Sequence, residues 1–183
     1  DLTSLSIAWP TGRLGNVGTH MFNAAAMLVS RRVAAVSATL DLSRRPDCRG
    51  ADFHDPGGWG LLRYEGGLMG SFDAGDYSRV PPAIVVNGAL GRAIASAVGI
   101  TLELWDGRRE TWPNPATSES SMDRAMAEIV AWLDGSGEFS DPAENSLHTL
   151  ETIVACHASH RRNAAWTMLP LSGEDREVEV HSG

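Results

Sequence analysis

Residues 59–112 read WGLLRYEGGLMGSFDAGDYSRVPPAIVVNGALGRAIASAVGITLELWDGRRETW, and this stretch decides the fold class. Short runs of apolar and β-branched residues alternate in it with turn-forming residues, which predicts a series of β-hairpins. The predicted turns are Glu65-Gly66-Gly67, residues 88–91 and Asp106-Gly107, and the Asp-Gly dipeptide is the strongest of these local signals. The stretch therefore predicts about six consecutive strands.

A strand, a helix and a further strand are predicted before this stretch. Apolar and polar residues alternate over 5–9, which indicates a half-buried strand. A glycine-spaced loop then leads into a helix predicted over 17–32, with Arg31 and Arg32 in its last turn, where cations suit the helix dipole. The β-branched residues of 33–42 predict the second strand.

The chain after the hairpins is predicted to be mainly helical. Apolar residues at helical spacing predict helices over 122–133 and from Asp141 to about Asn163, and short strands are predicted near 166–171 and 177–180. Strands followed by helices indicate an α+β fold rather than a doubly wound sheet. We therefore expect one domain, residues 1–183, with a large, mainly antiparallel open sheet and helices packed on one face.

Composition excludes several classes of protein. The chain contains no lysine, which excludes Schiff-base catalysis and a P-loop lysine. A net charge of −8 argues against a nucleic-acid partner, and the longest apolar run, residues 24–29, is too short to span a membrane. Two cysteines, Cys48 and Cys156, are too few for a disulfide framework, so a cytoplasmic location is expected. Because the chain opens with Asp1 rather than Met, we expect a piece of a longer protein, and its arginine-only composition is typical of a bacterial one.

One histidine stands out by its spacing. His20 follows Asn16 by four residues, so the two side chains share a face if the helix has begun, and Gly15 and Gly18 allow a ligand to come close. Such a histidine suits acid–base chemistry near neutral pH. A capping or core role is the commoner reason for a histidine at this spacing, and Asn16 alone is an ordinary helix N-cap.

The other clusters give weaker signals. Cys156, His157 and His160 lie near a predicted helix end, but two ligands at helical spacing do not make a zinc site, so no metal site is predicted. The remaining candidates are a loop pair with no visible partner (His54-Asp55), a strand end that can face a cleft (Asp73, Asp76 and Tyr77), and two tryptophans expected to pack across a hairpin (Trp105 and Trp112).

Four motifs together resemble a known enzyme family. Residues 11–23, TGRLGNVGTHMFN, are similar to the G-G-x-x-x-D-x-G-x-H segment of the Gfo/Idh/MocA oxidoreductases, the family of glucose–fructose oxidoreductase and inositol dehydrogenase. Residues 61–70, LLRYEGGLMG, resemble a hairpin of that family, residues 87–92, NGALGR, its turn between strands, and residues 140–159 its final helix. These motifs occur in the family's order and cover nearly the whole chain.

The resemblance implies a fold and a missing half. In this family an N-terminal Rossmann domain binds NAD or NADP, and a C-terminal domain of the glyceraldehyde-3-phosphate dehydrogenase-like type, built on a large open sheet, supplies the substrate site and oligomer contacts. The chain resembles that C-terminal domain alone, and it contains no G-x-G-x-x-G motif. We therefore expect the isolated chain to be inactive and its cofactor-binding residues to lie elsewhere.

The resemblance also implies roles for two residues, and position and charge suggest a third. His20 matches the family histidine that exchanges the hydroxyl proton of a sugar, cyclitol or similar polyol during hydride transfer. Asn16 stands where the family has aspartate, so it brings a hydrogen-bonding amide without charge. Arg13 is a predicted substrate contact on the basis of its position and charge. Two alternatives remain: a non-catalytic dimerisation module, and a redox-initiated lyase or glycosidase on the same scaffold.

A homodimer or tetramer through the open sheet is the expected assembly. Adjacent apolar residues in the hairpin strands place apolar side chains on both faces of the sheet, and a second apolar face needs a partner. The family resemblance implies the same kind of contact. We expect Leu68, Ile84 or Val86 and their neighbours to meet their symmetry copies there.

Overall fold

The computed structural model describes residues 1–43, 50, 52–75, 80–114 and 120–180. In these ranges nine strands form one sheet, and three α-helices accompany it. The strands are β1 (Leu2–Ala8), β2 (Val33–Asp41), β3 (Gly57–Tyr64), β4 (Met69–Asp73), β5 (Ala83–Gly88), β6 (Gly91–Ser96), β7 (Gly99–Leu104), β8 (Arg109–Pro113) and β9 (Thr167–Met168). The helices are α1 (Val17–Val29), α2 (Ser121–Leu133) and α3 (Ala143–Arg161).

The sheet has the order β8-β7-β6-β5-β1-β4-β3-β2-β9. All neighbouring strands are antiparallel except β1 and β4, which are parallel. The reason is the chain path: α1 connects β1 to β2, and the antiparallel strands β2, β3 and β4 then bring the chain back beside β1. The α+β fold with a mainly antiparallel open sheet, predicted from the sequence, is confirmed.

The core lies between one face of the sheet and the helices α1 and α3. Leu5 and Ile7 of β1 are 2% and 1% exposed and face this core, and the cross-strand register places Ile84 and Val86 of β5 beside them. Leu68 is also buried in the core, at 4% exposure. The prediction that Leu68, Ile84 or Val86 meets a symmetry copy is therefore wrong, since these side chains face the molecule's own helices.

Two predicted boundaries also differ from the structure. Helix α1 ends at Val29 because Ser30 adopts a left-handed backbone (φ 50°), so Arg31 and Arg32 lie beyond the helix rather than in its last turn. The predicted strand at 177–180 is absent, since a 3₁₀ turn occupies Gly173–Glu177 and the following residues lie along α3. There Arg161 Nη2 donates to the carbonyl of Glu179 at 3.2 Å.

Helix α3 completes the edge of the sheet, because β9 pairs with only two residues of β2. Three side chains of α3 accept hydrogen bonds from backbone N–H groups of β2 beyond this pairing. The bonds run from Val33 to His148 Nε2 (3.0 Å), from Ala38 to Ser159 Oγ (2.9 Å) and from Leu40 to His160 Nδ1 (3.1 Å). An edge covered in this way cannot pair with another strand.

Helix α2 differs from the other two helices because none of its residues is buried. Its start is fixed by a capping box, in which the Ser120 side chain accepts from the backbone N–H of Asp123 and the Asp123 side chain accepts in return. Among the described helices, none has the length and apolar character required to cross a membrane.

Candidate functional site

The loop between β1 and α1, residues 9–16, rests on an aromatic cluster. The Trp9 side chain is fully buried, and its Nε1 donates to the carbonyl of Gly12 at 2.6 Å. Its ring stacks on Phe72 at 6.1 Å between centroids and meets the edge of Phe22 at 5.6 Å. A Cβ at Gly18 would lie 3.1 Å from the Trp9 ring, so glycine allows the first turn of α1 to pack directly on the indole.

Asp55 holds the same loop from the other side. Its two carboxylate oxygens accept hydrogen bonds from the backbone N–H groups of Gly15 at 2.6 Å and Asn16 at 2.7 Å. The backbone carbonyl of Pro56 accepts from Leu14 at 2.9 Å. A carboxylate at the start of a helix satisfies unpaired N–H groups and suits the positive end of the helix dipole. The expectation that Asp55 has no partner is therefore wrong; its partners are distant in sequence, which local reasoning could not show.

Arg13 lies at the tip of this loop in a left-handed conformation. Its φ is 56°, and Gly12 before it has φ 61°. Such a backbone costs a residue other than glycine about 1–3 kcal/mol, so the surrounding structure must fix it. The Arg13 carbonyl does so in part, because it accepts from Val17 at 2.8 Å and Gly18 at 3.2 Å. The guanidinium is half-buried and has no ion pair among the described residues.

Asn16 and His20 lie on one face at the start of α1. The backbone of Asn16 is already helical (φ −86°, ψ −66°), so His20, four residues later, shares its face. The Asn16 side chain makes no capping hydrogen bond, because Asp55 accepts from the N–H groups at this helix end. The amide of Asn16 is thus available to a ligand, and the exposed imidazole of His20 can exchange protons with one.

Two further candidates lie close to this loop. The backbone carbonyl of Asp73 accepts from the Trp9 N–H at 2.9 Å, which places the end of β4 beside the loop, and its Oδ1 accepts from Gly75 at 3.0 Å. His54 precedes Asp55, and its Nδ1 is buried without a hydrogen-bond partner in the described part of the chain. Asp76, Tyr77 and Cys48 lie outside the described residues.

The cluster on α3 does not form a metal site in the structure. Cys156 is fully buried, and burial raises the pKa of its thiol far above the usual range. His160 Nδ1 accepts from the backbone of β2, and burial lowers the pKa of His157 to about 4, which keeps that imidazole neutral. No group of three or more His, Cys, Asp or Glu within the described ranges is placed to hold a metal ion.

The two tryptophans of the β7–β8 hairpin remain near the surface. Trp105 is 59% exposed and its Nε1 donates to the carbonyl of Gly88 at 3.2 Å, so it packs over the turn between β5 and β6. Trp112 is 47% exposed and lies opposite Ile100 of β7, in the cross-strand position expected from the sequence.

Solved structures share this fold. The WlbA dehydrogenase from Bordetella pertussis, solved with NADH and UDP-GlcNAcA, matches 93% of this chain with a TM-score of 0.67 at 16% identity. An oxidoreductase domain protein from Kribbella flavida matches 92% with a TM-score of 0.71 at 13% identity. Levoglucosan dehydrogenase, solved with NADH and levoglucosan, matches 93% with a TM-score of 0.71 at 15% identity.

The chain covers only part of each matched structure. The chain spans 57%, 60% and 59% of the three matched chains, respectively. The fold is that of the C-terminal domain of Gfo/Idh/MocA-type oxidoreductases, so the fold implied by the sequence motifs is confirmed. No protein-family model and no curated protein sequence matches the chain.

Proposed function

We propose that this chain is the substrate-binding part of an NAD(P)-dependent oxidoreductase that acts on a sugar, cyclitol or similar polyol by hydride transfer. The fold supports this proposal, because the matched structures include dehydrogenases solved with NADH and with sugar-like ligands. The observation that carries the proposal is the grouping of Arg13, Asn16 and His20 at the start of one helix, on a loop that Trp9 and Asp55 hold in place.

Each of the three side chains suits one step of such chemistry. His20 would accept the proton of the substrate hydroxyl when the carbinol carbon is oxidised, and return it in the reverse direction. The Asn16 amide would hydrogen-bond a neighbouring hydroxyl. Arg13 would bind a further substrate oxygen with its guanidinium, and its fixed left-handed backbone would keep that group in position.

The dinucleotide is proposed to bind a separate domain. A glycine-spaced loop before a helix is a common phosphate site, but here the N–H groups of Gly15 and Asn16 already bind the Asp55 carboxylate. A pyrophosphate at this place would face that negative charge, so the loop before α1 does not fit the cofactor. The chemistry that NAD(P) supplies is hydride transfer, and the residues of this chain would bind the polyol and move its proton.

Turnover separates this proposal from a non-catalytic role. The protein in which this chain is joined to a nucleotide-binding domain should reduce NAD(P)⁺ with at least one member of a polyol panel. We expect the 183-residue chain alone to bind no NAD(H), and micromolar binding by calorimetry would contradict that expectation.

One observation favours a second candidate function, a dimerisation module without catalysis. Asn16 replaces the acidic residue expected from the motif, so a charge-assisted pair with His20 is lost. If the joined protein binds NAD(P)H and forms oligomers but oxidises no polyol in the panel, this second function is the correct one.

A further inference from the structure

A cavity of about 420 Å³ lies between α1 and α3, at the end of α1 opposite to His20. The last turn of α1 and the residues after it form one wall, and the first turns of α3 and the turn between β3 and β4 form the others. Its polar lining includes Ser30, Arg31, Arg32, Glu65, Asn145 and His148. None of these residues belongs to the site proposed above.

Arg31 has an unusual environment in this cavity. Of the arginines in the described ranges, only Arg13 and Arg31 are half-buried, and the others are exposed. Neither Arg31 nor Arg32 forms an ion pair or a side-chain hydrogen bond within those ranges. Partial loss of hydration around an unpaired guanidinium costs free energy, which a bound anion would offset.

The carboxylates near the cavity leave both guanidinium groups available. Glu65 lines the cavity but forms no ion pair with Arg31 or Arg32. Asp141, which does not line the cavity, accepts from the amides of the lining residues Asn23 at 2.6 Å and Asn145 at 3.2 Å. Two arginines and one glutamate line the cavity itself, while the carboxylates of Asp141 and Glu151 contact lining residues from outside it.

The pKa of His148 reflects the positive charge of Arg32 in this wall. Burial and then the charge of Arg32 lower the pKa of His148, while Glu151 and Glu65 act in the opposite direction. The neutral imidazole accepts from the Val33 N–H at 3.0 Å. An anion placed near Arg32 would reduce the effect of that charge on His148.

We propose that this cavity binds a small oxyanion, a phosphoryl or carboxylate group, between the guanidinium groups of Arg31 and Arg32. The planar guanidinium donates two parallel hydrogen bonds to such groups, and the volume is sufficient for a small metabolite. The Arg31 guanidinium lies beside the turn between β3 and β4, because its Nη1 is 3.4 Å from the position that a Cβ at Gly66 would take. The proposal does not depend on the function proposed above.

Nuclear magnetic resonance of the 183-residue chain tests the proposal directly. Inorganic phosphate is titrated at constant ionic strength against chloride, and the backbone amides and the His148 imidazole are followed. We expect saturable shifts near residues 30–33 and 145–149 and a rise in the pKa of His148. Arg31→Gln should weaken phosphate binding at least tenfold, about the effect of one lost charge-assisted contact. Arg124→Gln is the matched control and should bind as the wild type does, because this exposed arginine of α2 has no side-chain partner among the described residues.

Two further experiments identify the class of ligand and control for misfolding of the variant. Succinate replaces phosphate in a parallel titration; binding of phosphate alone assigns a phosphoryl ligand, and binding of succinate assigns a carboxylate ligand. Arg31→Lys keeps the positive charge but loses the planar guanidinium that donates two parallel hydrogen bonds. It should bind phosphate more weakly than the wild type does, with chemical-shift changes in the same residues. Shifts no larger than those in chloride for both anions, or unchanged affinity in a folded Arg31→Gln chain, would overturn the proposal.

Discussion

Asp55 joins two segments that lie 39 residues apart in sequence. Its carboxylate accepts from two consecutive backbone N–H groups, so it caps α1 without using the side chain at the cap position. The polar side chains of Asn16 and His20 are therefore not needed to hold the helix. Because Asp55 caps the helix, the side chains of Asn16 and His20 are available to bind a ligand on a loop that other residues hold in place.

Replacement of Asp55 tests this arrangement. Asp55→Asn presents one oxygen and one NH₂ group to two N–H donors, so we expect the free energy of unfolding to fall by about 1–3 kcal/mol. Urea denaturation followed by circular dichroism measures the change. Asp106→Asn is the control, since that carboxylate is exposed in a hairpin turn, where solvent screens its pair with Arg108 and its replacement should change stability little. Equal stability of the wild type and Asp55→Asn would show that the carboxylate does not hold the loop.

His20 has the most direct functional test. In the joined protein, His20→Ala should lower kcat by about 10²–10⁴-fold, the usual effect of losing a general acid–base. Cofactor binding should stay unchanged, and so should the melting temperature, because His20 is exposed and does not support the core. Steady-state kinetics across the pH range measure the effect. Wild-type turnover at every pH would show that His20 does not take part in proton transfer.

The sequence could indicate His20 and Asn16 because both signals are local. Four-residue spacing at a helix start and the surrounding glycines follow from neighbouring residues alone. Asp55 was not predictable in this way, because its partners are the N–H groups of residues that only the fold brings near. Likewise, nothing in the residue types around position 13 shows that an arginine there adopts a left-handed backbone.

Helix α3 shows how one element can serve both the core and the sheet edge. Its side chains Ile153, Ala155 and Cys156 are buried, while His148, Ser159 and His160 accept hydrogen bonds from β2. His148 accepts the Val33 N–H through Nε2, so that nitrogen carries no proton, and burial followed by the charge of Arg32 lowers the pKa of this imidazole. The stability of this helix on the sheet is therefore coupled to pH.

Acid should destabilise the fold through α3. Burial lowers the pKa of His157 to about 4, and burial followed by the charge of Arg32 lowers the pKa of His148. In the unfolded chain a histidine has a pKa of about 6.5, so below that pH the unfolded state binds more protons than the folded state. The free energy of unfolding is thus highest above about pH 6.5 and decreases as the pH falls toward 4, by up to about 3 kcal/mol for His157.

Urea unfolding at pH 7 and pH 4.5 measures this effect. His157→Leu removes the titrating group, whose Nε2 is buried without a partner in the described part of the chain, so the difference between the two pH values should shrink. Leu147→Ala, which changes an exposed residue of α3 that does not titrate, should leave the difference unchanged. The same pH dependence in the wild type and in His157→Leu would contradict the prediction.

The hairpins could be predicted from the sequence, but which side chains of each strand face the core could not. The turn at Asp106-Gly107 and the strands around it follow from residues within a few positions of each other. In β5, however, Ile84, Val85 and Val86 are all apolar, so alternation does not show which side chain enters the core. The register with β1 decides it, and that register places Ile84 opposite Ile7 and Val85 opposite Ser6.

The whole molecule has one sheet face that neither α1 nor α3 covers. The register aligns side chains on this open face in a row across eight strands. The row contains only small, β-branched or aliphatic residues and no charge: Ser37, Leu61, Ser71, Ser6, Val85, Ile94, Thr101 and Thr111. Beside it, Trp59 is 45% exposed and Met69 is 39% exposed. Two positions along the same strands, this face also carries charged residues, namely Arg63, Asp73, Arg92, Glu103 and Arg109, so the uncharged row has a charged rim, which is the pattern of a protein interface.

We therefore propose a homodimer, or a tetramer built from such dimers, in which the open faces meet. A twofold axis would place Leu61 and Val85 near their own copies, and a stable contact should bury at least about 1,000 Å².

Sedimentation at low micromolar concentration should give at least twice the 19.6 kDa of the chain. Leu61→Arg introduces a charge into the centre of the open face, where a paired copy would bring two such charges together, and it should shift the protein toward monomer. Leu147→Arg is the matched control, since that leucine is 67% exposed on α3 and away from the open face. A monomeric wild type, or equal dissociation by both substitutions, would show that the open face is not the site of assembly.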